Sequence, residues 1–201
     1  MSVEPSRTDL EAAPRTLAIG DIHGCDTALR TLLNQVQPRA IDTVVLLGDA
    51  VNRGPNSRDV LDQLVDLSKK SRLIYIFGNH EEVMVAALLG QAGGLPNFKE
   101  MGGRKTLDSY HGSLDHVPDE HRELIASAFD FWETDREIFV HANLEPDVSL
   151  EQQKPLWLRW MHQKGAPLPH PSGKRIIYGH TPQRSGLPRV IPGWIGIDTW
   201  A

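Results

Sequence analysis

The sequence predicts an α/β protein built as a two-layered mixed β-sheet sandwich flanked by helices, and three observations carry that prediction. Between Thr16 and His80 the chain repeats one rhythm: a short apolar run, a polar turn containing glycine, then a stretch with helical spacing. Further apolar runs at 138–140, 175–178 and 194–197 are separated by proline-rich loops such as Pro167 to Pro171, which supplies strands for a second layer. A length of 201 residues, 40% of them apolar, is enough for one substantial core.

The elements follow in order. Met1 to Pro14 carries Glu4, Asp9 and Glu11 and lacks the apolar stretch of a secretory signal, so residues 1–15 read as a disordered tail and 16–201 as a single domain. Thr16 to Ile19 is the first strand. Leu29, Leu32, Leu33 and Val36 then mark one face of a helix that Pro38 stops. Thr43 to Leu47 is the second strand, followed by a helix with Ser57 as N-cap and Val60, Leu61, Leu64, Val65 and Leu67 as its apolar face. Leu73 to Phe77 is the third strand and Glu81 to Leu89 the third helix. Alternating strands and helices imply parallel pairing, which brings the C-terminal ends of the strands to one edge. Gly90 to Gly112 is glycine-rich and weakly periodic and reads as a cap, and Asp119 to Phe129 reads as a helix after Pro118.

Composition excludes several classes. A formal charge of −5 gives no bulk attraction to nucleic acid or anionic lipid, and no apolar run is long enough to span a membrane. Cys25 is the only cysteine, so no intrachain disulfide forms and a cytoplasmic monomer is expected. Cys25 itself reads as a small buried side chain rather than an oxidation-sensitive reporter.

The chemistry lies at the strand ends. Gly20-Asp21-Ile22-His23-Gly24, Gly48-Asp49, Gly78-Asn79-His80-Glu81, His141-Ala142-Asn143 and Gly179-His180-Thr181 each follow a predicted strand. Oxygen and imidazole donors without thiolates suit manganese, iron or zinc in a catalytic setting. Two neighbouring dications need a bridging carboxylate, and Asp49, on the middle strand of the repeat, is placed to bridge. Such a pair lowers the pKa of a shared water and braces in-line attack on phosphorus, while Arg53 can neutralise the phosphate oxygens.

These motifs, GDIHG at Gly20 to Gly24, GDAVNRG at Gly48 to Gly54, GNHE at Gly78 to Glu81, and then His141 and His180, resemble those of the phosphoprotein phosphatases of the calcineurin-like metallophosphoesterase superfamily, in particular their short bacterial and phage members. The resemblance spans about Ala18 to Thr199. It implies that Asp21, His23 and Asp49 hold a first metal and that Asp49, Asn79, His141 and His180 hold a second, with manganese expected and iron or zinc as alternatives. It also implies that His80 is the general acid, that Arg53 and Arg159 of Trp157-Leu158-Arg159 hold the phosphate, and that Asn79 reaches the substrate. The expected activity is that of a protein serine/threonine phosphatase acting on a phosphoprotein or phosphopeptide by direct attack of a metal-bridging hydroxide. Symmetrical hydrolysis of dinucleoside tetraphosphates is the alternative, one that longer cap insertions to hold a nucleoside would favour, and the chain is short for these. A phosphoprotein-binding member with weakened turnover is a third reading.

Two departures matter. Asn52 stands where the family has Asp, the carboxylate that accepts a hydrogen bond from the histidine acid. Asn52 can still accept that bond, but it supplies no charge, which lowers the pKa of His80. Relatives also continue past their Asp-Thr-Gly-like segment into another strand, whereas Ile197-Asp198-Thr199-Trp200 is followed only by Ala201, which predicts an unpaired sheet edge. His111, His116, His121, His162 and His170 lack the flanking pattern and read as solvent-exposed, and Met101 to Leu107 belongs to the cap. Asn52→Asp is therefore expected to raise the turnover number by roughly tenfold to a thousandfold, the range of general acid catalysis, measured as steady-state phosphoester hydrolysis.

Overall fold

The computed structural model describes residues 13–200, so most of the expected N-terminal tail lies outside the described residues. Arg15, at the inner end of that stretch, is tied down: its Nη2 donates to the buried Asp42 at 2.6 Å, and Arg39 Nη2 reaches the same carboxylate at 2.7 Å. The two guanidiniums hold the Asp42 carboxyl well below the usual carboxylate range.

Three parallel strands, β1 (Thr16–Ile19), β2 (Thr43–Leu46) and β3 (Arg72–Tyr75), form one sheet in the order β1-β2-β3, with Thr16 opposite Thr43 and Thr43 opposite Arg72. Helix α1 (Asp26–Val36) connects the first pair and α2 (Ser57–Lys70) the second, while α3 (Asn79–Leu88) follows β3. Pro38 stops α1 as expected, with Gln37 in the left-handed region at φ 46°. Asn56 caps α2 instead of Ser57, its side chain accepting from Asp59 N–H. The Ser57 hydroxyl is used elsewhere, accepting from Asn52 N–H. Helix α3 begins two residues earlier than the spacing suggests, which puts Asn79 and His80 in its first turn.

The cap region folds as α4 (Gly94–Phe98), a π-turn and α5 (Arg104–Ser109), and α6 (Asp119–Ala126) follows. It is part of the body of the domain: Phe98 and Tyr110 are fully buried in the apolar cluster that also holds Leu61, Leu64 and Val44. The second sheet has the order β4-β5-β6-β8-β7, from β4 (Phe131–Glu133), β5 (Glu137–Val140), β6 (Arg175–Tyr178), β7 (Arg189–Ile191) and β8 (Trp194–Gly196). Its centre, β5-β6-β8, is parallel, and the outer strands β4 and β7 are antiparallel. The short helix α7 (Pro155–Trp160) lies between β5 and β6 in the chain.

Period-two alternation builds the layers. Val44 and Leu46 of β2, with Leu73 and Tyr75 of β3, face the helices. Their neighbours Val45, Leu47, Ile74 and Ile76 meet Phe139 and Ile177 between the sheets. Ile138, Val140, Ile176 and Tyr178 point to the far side, against Leu144, Leu150 and Leu158. The predicted two-layer mixed sandwich is thus the observed fold. Among the described residues no helix is long and apolar enough to cross a membrane.

Phe139 is 2% exposed in the layer between the sheets. Phe139→Ala is expected to cost about 3–5 kcal/mol of folding free energy, read from the midpoint and slope of urea unfolding.

Candidate metal centre

The loops leaving β1, β2, β3, β5 and β6 bring Asp21, His23, Asp49, Asn79, His141 and His180 together, all buried except the half-buried His180. Each histidine is oriented by a backbone carbonyl. His141 Nδ1 donates to Leu47 O at 2.6 Å, His180 Nε2 to Trp160 O at 3.0 Å and His23 Nδ1 to Val51 O at 3.1 Å. The other ring nitrogen of each therefore carries a lone pair that points inward.

Those lone pairs converge on further acceptors. His141 Nε2 lies 2.9 Å from Asn79 Oδ1, 3.2 Å from His180 Nδ1 and 3.4 Å from Asp49 Oδ1. His180 Nδ1 is 3.1 Å from Asn79 Oδ1. Four acceptors crowded in this way repel one another unless a cation sits among them. On the other side His23 Nε2 lies 3.7 Å from Asp49 Oδ2 and 3.9 Å from Asp21 Oδ2. Asp49 thus turns one oxygen to each group, the disposition a bridging carboxylate requires, and the donor sets fit two cations.

Electrostatics agrees. Burial drives the pKa of His23 and of His180 down to about 4, helped by Arg53 and His162 respectively, and pushes His141 well below its usual value, so the rings are neutral donors near neutral pH. Burial also pushes Asp21 and Asp49 well above the usual carboxylate range, with Asp198 beside the first and Asp21 beside the second adding to it. A bound dication would relieve both carboxylates.

The loop geometry is costly. His23, Asp49, Asn52, Arg53 and His180 all sit at positive φ, between 47° and 71°, a concentration typical of functional sites. Glu81, whose role the GNHE motif alone does not reveal, holds one of these turns: its fully buried carboxylate accepts from Asp49 N–H at 2.8 Å, Ala50 N–H at 2.9 Å and Gly78 N–H at 3.1 Å. Gly78 is obligatory here, since a Cβ would lie 2.4 Å from Asp49 Oδ1.

Asn52 differs from the expectation. Its Oδ1 accepts from Thr106 Oγ1 at 2.9 Å, so its amide nitrogen, 3.0 Å from His80 Nδ1, donates to the ring instead of accepting from it. The ring proton of neutral His80 is thereby kept on Nε2, which is buried without a partner and lies 3.9 Å from Asp49 Oδ2. Burial, then His23 and Arg53, lower the His80 pKa to about 2. Thr106, in the segment read as cap, is a positioning residue that the sequence did not reveal, and Gly102 O of the same segment accepts from Arg53 N–H at 3.2 Å.

Arg53 Nη1 donates to His23 Nε2 at 2.9 Å, so this arginine does join the cluster. Arg159 does not. Its Nη1 donates to Glu82 at 3.0 Å, its Nη2 reaches Asp130 at 2.5 Å, and its guanidinium lies over the Phe77 ring, so its partners are all outside the ligand set. One histidine expected in solvent differs: His121 is buried between the Tyr110 hydroxyl and Asp62. His162 is exposed as expected, and it stacks on the ligand candidate His180 with ring centroids 4.4 Å apart. Cys25 is half-buried against the helix-side core.

A two-sheet sandwich whose strand ends converge buried His, Asp and Asn donors on two adjacent points defines a metal-dependent hydrolase of the phosphoesterase type. The chain belongs to the calcineurin-like phosphoesterase family, whose family model matches residues 14–187. Among curated relatives, the symmetrical bis(5'-nucleosyl)-tetraphosphatase of Janthinobacterium sp. (strain Marseille) is 31% identical over 138 residues, 68% of this chain and 46% of that protein. The protein of the same name from Ralstonia nicotianae is 35% identical over 98 residues, 49% of this chain and 31% of that protein. The chain thus spans less than half the length of these relatives. A solved structure of a candidate diadenosine tetraphosphatase superposes with a TM-score of 0.66 at 22% identity, covering 92% of this chain and 82% of that one, which shows the shared fold. The expected protein serine/threonine phosphatase activity is overturned by the names of these curated relatives, since the motifs that suggested it encode a metal centre common to both activities.

Manganese added to chelator-treated protein is expected to raise Tm by about 5–10 °C at a hundredfold excess over Kd, and Asp49→Asn should abolish most of that rise in scanning calorimetry.

Proposed function

We propose that the chain hydrolyses dinucleoside tetraphosphates symmetrically, splitting the central phosphoanhydride to give two nucleoside diphosphates. The observation that carries this reading is the donor cluster with Asp49 shared between its halves, in a chain whose curated relatives are named for that reaction. Asp21, His23 and Asp49 would hold one divalent ion, and Asp49, Asn79, His141 and His180 the other. Bound there, the ions supply an activated water and neutralise phosphate charge.

The remaining roles fall to this chain's own residues. Arg53 now spends Nη1 on the lone pair of His23, and a guanidinium freed from that nitrogen can turn its fork to the phosphate oxygens. His80 presents its Nε2 proton to the departing oxygen, with Asn52 and Thr106 fixing the tautomer. A nucleoside diphosphate is a weakly basic leaving group and needs far less protonation than an alkoxide. An uncharged partner for the acid therefore suits an anhydride substrate better than a phosphoserine.

Chromatography of products from diadenosine tetraphosphate and manganese-loaded protein is expected to show ADP alone. Formation of ATP with AMP, or no cleavage, would overturn the reading. The gain expected from Asn52→Asp is confined to alkyl phosphoesters, with little change in kcat for the tetraphosphate in a parallel assay.

A further inference from the structure

A cavity of about 830 Å³ adjoins the metal centre, within the range of small-molecule sites. It lies between the loop after β5 and the segment that follows α7, and Trp157 and Trp194 contribute to its walls. Two features join it to the cluster: His162 on its wall stacks against His180, and Asn143 on its wall stands two residues beyond His141. It forms without any insertion in the helical cap, so the shortness of the chain is no obstacle to holding a nucleoside.

The lining is incomplete in a particular way. Gln163 is 7% exposed, its Nε2 donates to Lys164 O at 3.1 Å, and its Oε1 has no hydrogen-bond partner. A buried acceptor without a donor is costly, and Gln163 lines the cavity with that oxygen enclosed behind its surface. Leu168, also on the lining, is 86% exposed, while Trp194 Nε1 holds its carbonyl at 2.9 Å. The site therefore offers a water-exposed apolar side chain and aromatic walls beside a phosphate-directed metal centre.

We infer that this cavity is the nucleoside subsite, taking one base and ribose of a dinucleoside polyphosphate while the phosphate chain runs to the metal centre. The inference rests on the tetraphosphatase reading. A nucleobase matches the walls: its faces are apolar and stack on indole. A bare polyphosphate would leave the apolar walls unserved.

The test compares KM for diadenosine tetraphosphate with the inhibition constant of inorganic tripolyphosphate, which carries phosphates and no nucleoside. Trp157→Ala is expected to raise the ratio of KM to inhibition constant about tenfold to a hundredfold, the worth of one base-aromatic stack, and Trp157→Phe to restore most of it. Leu168→Asp, at an exposed position where folding is not at stake, should raise the same ratio. An unchanged ratio in both Trp157→Ala and Leu168→Asp overturns the subsite and leaves the tetraphosphatase reading standing. No cleavage of diadenosine tetraphosphate by the manganese-loaded wild type overturns that reading and the subsite with it.

Discussion

The carboxylate of Glu81 is the constraint on which the rest of the site depends. It is fully buried at the third residue of α3, yet it serves the loop after β2 as much as its own, taking the N–H groups of Asp49, Ala50 and Gly78. Without it those buried amides would lack an acceptor, at about 1–3 kcal/mol each. With it, the turn that carries Asp49 at φ 52° is locked against the turn that begins α3. The two oxygens of Asp49 are then aimed at His141 on one side and His23 on the other. The parallel register of β2 and β3 places those turns side by side, so a backbone property of the sheet becomes the spacing of a metal centre. The same arrangement gathers Asp21, Asp49 and Glu81 in a buried interior, where burial raises the pKa of each. Cations bound there would relieve these carboxylates.

Much of this was legible in the sequence. The strand-helix rhythm and the polar clusters at strand ends are local signals, and the fold and the convergence of the ligand candidates followed from them. What stayed hidden is long-range or short. Strands β4 and β7 are three residues each, too brief to show an alternation, and α7 is a six-residue helix whose only mark was Pro155 at its start. Arg159 looked like a phosphate ligand from its neighbours in sequence, but Glu82 and Asp130, 77 and 29 residues away, claim it. Thr106 is 54 residues from the asparagine whose amide it orients, and that single hydroxyl decides whether Asn52 accepts from His80 or donates to it.

The functional correction has a physical source. Motifs at strand ends encode the machinery that acts on phosphorus, which phosphoesters and phosphoanhydrides share. The group beyond the phosphate is read by surfaces outside the motifs, and the cavity proposed for it lies among the loops around Trp157, Gln163 and Leu168. Those loops are proline-rich and aperiodic, so sequence patterning could place them between strands without showing the space they enclose. The uncharged Asn52, a puzzle for a phosphoserine enzyme, suits a leaving group that carries its own negative charge.

The bridging role of Asp49 is most directly tested by electron paramagnetic resonance of protein loaded with two equivalents of manganese. Two ions that share the oxygens of Asp49 should give an exchange-coupled spectrum, and Asp49→Asn should convert it to that of isolated ions. A wild-type spectrum of isolated, uncoupled manganese would contradict the shared centre.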